Sequence, residues 1–321
     1  MKAGSTPAAS MPCVPRLGCT VTSTYFPEEA EWTQASLPAT RNPVSSKCAT
    51  PAAGRASTIA LTAGLRNVAI FFAAGVAHFD ETGFRVAGRL ARAHSASSGK
   101  YVLVTVHPKR GTQGMDAARV LPAFTGIACH DAWAPYESYT GVAGHALCNA
   151  HIWRELTAAT ETGTGLDVTR AEQATGALLA LKEAAGEARE AGHDAIDAKL
   201  LAEHEKYFRD AAEAGVTLNA ARRSTLQKKR HALAKRLRDR AGDYLRFAHD
   251  LRVPFDNNPA EQVIRMSKLR IKVSGCMRSM TGAGTFCAIR SYLATASRHG
   301  ISWLDALILA AQGKPWIPET A

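Results

Sequence analysis

The sequence has no apolar run approaching the roughly 18 residues that would suggest a membrane span. Its N-terminus lacks a compact basic region followed by an apolar segment, so no secretory signal is expected. The seven cysteines, at positions 13, 19, 48, 129, 148, 276 and 287, show no repeated CxxC spacing. Reduced thiols in a cytosolic protein are therefore expected, not a disulfide scaffold. Acids are also in short supply. There are 28 Asp and Glu against 39 Lys and Arg, a formal charge of +11. Such an excess points to a polyanionic partner, most commonly nucleic acid, although a basic enzyme without one has the same balance.

What is present fits one large domain or two ordinary ones in 321 residues, with 46% hydrophobic content for a sizeable core. Residues 1–60 are rich in Ala, Pro, Ser and Thr without a sustained period, and are expected to be disordered or poorly packed. Ser57 to Ala77 reads as a helix running into a strand. The apolar run from Val68 to Ala77 leads into His78-Phe79-Asp80-Glu81-Thr82-Gly83 and places Asp80 at a strand end. Phe84 to His94 alternates in part, with Gly88 as a bend, and Ser95 to Lys100 reads as a polar turn. Tyr101 to Val106 is a strand by its β-branched content. Together these predict an antiparallel meander. A short helix from Met115 to Phe124 follows, then a fourth strand closing on His130-Asp131. His145 to Cys148 reads as a fifth strand, leading into a helix from Asn149 to Thr160 with Asn149 as N-cap.

Residues 161–253 are Ala-rich, charged and nearly free of proline, and read as a helical insertion ended by Pro254. In 254–321, Phe255 to Glu261 is a turn that opens a helix, and Gly282–His299 and Ser302–Gln312 are closing helices separated by Gly300. The fold class is α/β, a mixed sheet with a large helical insertion and C-terminal helices.

Asp80, Asp131 and Glu261 all sit where elements begin or end. Phosphoryl transfer on DNA suits two divalent metals about 4 Å apart. Hard cations such as Mg²⁺ take oxygen ligands and keep several waters, so a few carboxylates suffice. Among 28 acids a bare triplet is weak evidence, and its weight comes from the local sequence around each. Glu81 reads as a solvated acid beside the site. Asp256 competes with Glu261 for the third position, but a helix holds Glu261 more rigidly. His145, Cys148 and His151 form an HxxCxxH cluster. Zinc needs a fourth ligand that the neighbouring sequence does not offer. Cys148 is therefore expected to be buried, with His151 facing the active site or orienting a carboxylate. His130 is expected to cap the strand end. Trp133 and Tyr136 are expected to pack under their loop instead of stacking on a base.

The local sequences themselves carry a resemblance. His78-Phe79-Asp80-Glu81-Thr82-Gly83-Phe84-Arg85-Val86, His130-Asp131-Ala132-Trp133-Ala134-Pro135-Tyr136 and His145-Ala146-Leu147-Cys148-Asn149-Ala150-His151-Ile152-Trp153-Arg154-Glu155-Leu156 are followed by Asp256-Asn257-Asn258-Pro259-Ala260-Glu261-Gln262 and Lys272-Val273-Ser274-Gly275-Cys276-Met277-Arg278-Ser279. In this order, from about Val76 to Leu309, they resemble the catalytic domain of bacterial insertion-sequence transposases, the family numbered sixty-six. The resemblance implies a ribonuclease H-like fold, with 61–160 as its first part and 254–321 as its remainder around the 161–253 insertion. It implies an Asp-Asp-Glu metal site in which Asp80 matches the first acid, Asp131 the second and Glu261 the third, spaced by 131 − 80 = 51 and 261 − 131 = 130. It further implies two Mg²⁺ (or Mn²⁺) ions, and DNA cleavage and strand transfer in transposition. The implied partners are element ends and target DNA, with homodimerisation and accessory proteins of the same element. The implied location is cytoplasmic, on the bacterial nucleoid.

The basic run Arg222, Arg223, Lys228, Lys229, Arg230, Lys235, Arg236, Arg238 and Arg240 has few interleaved acids, and is expected to contact phosphates. Arg265, Lys268, Arg270, Lys272 and Arg278 follow Glu261 and are expected to line the DNA path. Family members carry a long N-terminal half with DNA-binding and zinc-binding parts, whereas about 75 residues precede the first motif here. A truncated or frame-disrupted copy is therefore expected. Two other readings stay open, an inactive DNA-binding remnant and a ribonuclease H-like nuclease without strand transfer.

Overall fold

The computed structural model describes residue 71 and residues 74–318, all within one compact unit, Ala49–Ala321. The expectation for residues 1–60, and the helix read from Ser57 onward except for Phe71, lie outside the described residues. No described helix is long and apolar enough to cross a membrane.

Strands β1 (Val76–Val86), β2 (Arg89–Ser98) and β3 (Tyr101–His107) form the antiparallel meander. The β1–β2 connection is the two-residue turn Ala87-Gly88, both with positive φ (49° and 75°), the geometry that matches strand twist in a tight hairpin. Two expectations are corrected here. Asp80 lies inside β1, not at its end, because pairing with β2 carries the strand on to Val86. Ser95 to Ser98 is strand, not turn. These small side chains are buried between β1 and β3, and that tertiary pairing overrides their turn preference.

Helix α1 (Thr112–Ala117) is shorter than the apolar spacing predicts. Arg119 adopts a φ of 59°, which breaks the helix, and a short 3₁₀ turn with Pro122 carries Leu121. Val120, Leu121 and Phe124 still reach the same core as Phe79 and Leu103. β4 (Ile127–His130) and β5 (Gly144–Leu147) then add to the sheet in parallel, giving the order β3-β2-β1-β4-β5. A Cβ on Gly126 would lie 2.5 Å from the carbonyl of Ala74, so the close entry of β4 beside β1 requires glycine there.

α2 (Asn149–Thr162) follows β5, with Cys148 at its N-cap position. Asn149 is not the cap: its Nδ2 donates to the Tyr244 carbonyl at 2.9 Å instead. The insertion is α3 (Leu166–Glu190), α4 (Ala198–Leu218), α5 (Thr225–Asp239) and two single turns, α6 (Ala241–Tyr244) and α7 (Arg246–His249). Asp197 and Ser224 cap α4 and α5 through their side chains. Ala, Leu and Phe residues of these helices share one apolar cluster with Ile127, Cys129, Ala146 and Leu147, so the insertion packs directly on the parallel part of the sheet. Arg189 of α3 donates to the carbonyls of Leu251 and Val253 at 2.8 and 2.9 Å, fixing the segment that returns to the sheet.

Three helices complete the chain: α8 (Asn258–Ser274), α9 (Met280–Arg298) and α10 (Trp303–Ala311). α9 and α10 open on the side-chain caps Ser279 and Ser302, and Gly300 separates them at φ 82°. Along α9, Thr295 and Ser291 accept from the backbone N–H groups of Val102 and Val104 at 3.1 and 2.8 Å. The helix thereby covers the outer edge of β3.

Candidate functional site

The last parallel register pairs between β1 and β4 are Ala77 with Ala128 and His78 with Cys129. Asp80 and Asp131 each lie two residues beyond the second pair. Side chains alternate along a strand, so Asp80 shares the face of His78, and Asp131, one residue past the end of β4, continues the face of Cys129 on the neighbouring strand about 4.8 Å away. α8 brings Glu261 to this face in its first turn. Ser95, the cross-strand partner of Asp80, has its hydroxyl 3.4 Å from the carbonyls of both Asp80 and Ala260, and so links β1 to the start of α8.

Asn257 is the other link. It is 2% exposed, and its Nδ2 donates to the Phe79 carbonyl at 2.8 Å. Its Oδ1 therefore accepts from His78 Nδ1 at 3.0 Å, and its backbone N–H reaches Cys148 Sγ at 3.2 Å. One buried amide thus fixes β1, the start of α2 and the approach to α8.

The electrostatics follow from burial. Burial pushes the Asp80 carboxyl up to about 7, helped by the negative charges of Asp131 and Glu261 and opposed by the Glu81 N–H and Lys268. Asp131 is also raised, first by burial and then by Glu261, while the Trp133 N–H, His151 and Arg110 oppose it. The three acids are therefore mutually repelling groups in one partly desolvated space. His130 is fully buried, and burial pushes it down to about 3, so its ring is neutral. It donates from Nδ1 to the Asp131 carbonyl and accepts at Nε2 from His145 Nδ1 at 2.9 Å.

Glu81 is not a solvated acid. Its side chain is 8% exposed and its Oε1 accepts from Arg110 Nε at 2.7 Å, on the opposite sheet face from Asp80. Arg110 also stacks 4.1 Å over Trp133. Asp256 accepts both the backbone N–H and the side-chain amide of Asn258, at 3.0 and 2.9 Å, and serves the turn before α8. Tyr136 is buried and stacked on His130, with ring centroids 4.3 Å apart, and Trp133 packs edge-on to Tyr136. The HxxCxxH spacing does not make one cluster, because His145 turns to His130. Cys148 is buried as expected, and His151 Nε2 lies 3.9 Å from Glu261 Oε1. The donor atoms of Cys148, His151 and Glu261 fall within 4.8 Å of one another. Sequence reasoning gave Asn257 and Arg110 no role. Asn257 lies within a quoted motif, but nothing local marks Arg110.

The basic run is more heavily paired than its local sequence indicates. Arg230 binds Asp167 at 2.8 Å, Arg236 binds Glu155 at 2.7 Å, Arg238 binds Asp239 at 2.9 Å, and Lys235 and Arg240 pair with Asp239 and Glu137. Several of these acids come from other elements, which is why the run looks unpaired in the sequence. Arg222, Arg223, Lys228 and Lys229 are exposed. On α8, Arg265, Lys268 and Lys272 follow Glu261 at four, seven and eleven residues and share its face. Arg270, nine residues on, falls on the opposite face beside Met266, Phe286 and Arg290. Arg278 is exposed, next to Met277, whose backbone bridges to Val86.

The family model described as Transposase IS66 family matches residues 61–285, and the chain belongs to that family. No curated protein matches the chain, and neither does any solved structure.

Proposed function

We propose that the chain carries the catalytic domain of a DDE transposase, which cleaves DNA strands at element ends and joins them to target DNA with divalent metal. Support for a ribonuclease H-like fold comes from the sheet order β3-β2-β1-β4-β5 with its first three strands antiparallel. The observation that carries the reading is the grouping of Asp80, Asp131 and Glu261, in which Asp131 and Glu261 both raise Asp80 and Glu261 raises Asp131.

The donor set fits a hard cation. It is all oxygen, and both the burial that drives Asp80 up to about 7 and the repulsion from Asp131 and Glu261 that adds to it are offset by positive charge between the carboxylates. Bound Mg²⁺ or Mn²⁺, two ions in this reading, would supply a water of lowered pKa and neutralise charge on the leaving oxygen. Asp80 would contribute oxygens from within β1, Asp131 from the residue just past β4, and Glu261 from the first turn of α8. Arg265, Lys268 and Lys272 hold phosphates along the face that presents Glu261. Arg222, Arg223, Lys228, Lys229 and Arg278 add sequence-independent contacts to more distant phosphates. A water attacks the phosphodiester at the element end, and the freed 3′ hydroxyl then attacks target DNA. Paired ends call for two copies of the chain, with accessory proteins of the element as further partners.

The test is strand transfer by purified protein with Mg²⁺ or Mn²⁺, a pre-cleaved element end and a supercoiled target. Joined product that disappears in Asp131→Ala is expected. DNA binding without nicking under either metal would overturn the catalytic reading in favour of an inactive remnant. Nicking without joining would favour a plain nuclease.

A further inference from the structure

Cys148, His151 and Glu261 combine a thiol, an imidazole and a carboxylate whose donor atoms lie within 4.8 Å of one another. This donor set differs in kind from three carboxylates. Soft and borderline donors select zinc-class ions over Mg²⁺. The arrangement is also built into the fold. Cys148 stands at the N-cap position of α2, and His151 follows one turn later, so both side chains come from a rigid helix start. The backbone N–H of Asn257 donates to Cys148 Sγ at 3.2 Å, which holds the sulfur in place at the start of the helix. His151 Nδ1 is buried and has no hydrogen-bond partner among the described residues. The other ring nitrogen, Nε2, is the one that faces the carboxylate, 3.9 Å from Glu261 Oε1.

We propose that Cys148, His151 and Glu261 form a site for a zinc-class divalent cation, with a fourth position open to water or a phosphate oxygen. Zinc at its usual bond lengths sets neighbouring ligands roughly 3.5 Å apart. The half-exposed side chains of His151 and Glu261 supply the short closure by rotation. Because the site uses Glu261, filling it withdraws that carboxylate from Asp80 and Asp131, so zinc inhibits magnesium-dependent chemistry. The binding part stands on the donor geometry alone, and the inhibition part rests on the role proposed above for Glu261.

The experiment titrates the purified full chain with Co²⁺ as a spectroscopic stand-in, alongside Zn²⁺ inhibition of Mg²⁺-dependent nicking. One equivalent of Co²⁺ should produce a near-ultraviolet sulfur-to-cobalt band that Zn²⁺ removes and excess Mg²⁺ does not. C148A should abolish the band, C276S should leave it, and H151A and E261Q should each weaken Co²⁺ binding at least about tenfold. No thiolate band in the wild type, or an undiminished one in folded C148A, overturns the site. If C148A does not fold, H151A decides, and unchanged affinity there overturns the site. Occupancy by Zn²⁺ that does not slow nicking overturns the inhibition. A chain that never nicks DNA refutes the transposase chemistry, while the Co²⁺ readings still judge the site.

Discussion

The side-chain amide of Asn257 donates to the carbonyl of Phe79, the residue immediately before Asp80, across a sequence separation of 178 residues. The same amide holds His78, so the backbone on either side of that pair is fixed from the far end of the insertion. Asn257→Ala would leave the Phe79 carbonyl and the His78 ring nitrogen buried without partners. A loss of about 1–3 kcal/mol in stability is expected from this, read by chemical denaturation. Nicking should fall about 10–100-fold, as for residues that orient metal ligands. Asn257→Asp tests which part dominates, since it keeps the acceptor for His78 and loses the donor to Phe79.

Asp80→Asn and Glu261→Gln should abolish metal-dependent cleavage, by at least about a hundredfold, while leaving DNA affinity in metal-free buffer intact. The check is a nicking assay beside a filter-binding isotherm. Residual cleavage in both variants within tenfold of wild type would remove these acids from the site.

The pH dependence has a definite sign. Burial holds the Asp80 carboxyl near 7, above its ordinary 3.8. Its contribution to the stability of the metal-free protein is therefore fully present below about 4 and is lost as pH rises through about 7. Metal binding runs the other way, because the ion displaces the proton. Calorimetric titration with Mn²⁺ should show affinity rising from pH 6 to pH 8, with proton release that shrinks in Asp80→Asn. Affinity flat across that range would contradict it.

Replacing Arg222, Arg223, Lys228 and Lys229 together with Gln should weaken DNA binding for all sequences alike. The salt slope should fall by about one for each phosphate that is no longer neutralised. Thermal stability should change little, because all four are exposed. Arg230→Gln should do the opposite, since that side chain is spent on Asp167 and the Thr162 carbonyl. An unchanged salt slope in the fourfold variant would move the DNA path elsewhere.

Much of this arrangement was legible in the sequence. The meander, the fourth and fifth strands, the helical insertion and the two closing helices follow from periodicity and turn residues. The motifs pointed to Asp131 beyond a short buried strand and to Glu261 in the first turn of a helix. Apart from the helix that Arg119 cuts short, the misreadings share one cause, which is pairing between distant segments. Ser95 to Ser98 look like a turn until β1 and β3 flank them. Asp80 looks terminal until β2 extends its strand. The basic run looks unpaired until Glu155, Asp167 and Glu137 arrive from other elements. The HxxCxxH spacing looked like a single cluster, yet His145 and His151 leave β5 and α2 in different directions, and the third donor beside Cys148 and His151 comes from Glu261.

The covered edge of β3 also bears on how copies of this chain can meet. Val102 and Val104 donate their outward N–H groups to Thr295 and Ser291 respectively, and at the other side of the sheet the His145 carbonyl accepts from Arg246 Nε at 2.7 Å. Neither flank offers a free ladder at these positions for a strand from another molecule to zip onto. A strand from a second copy could add to the sheet at these positions only by first displacing those side chains.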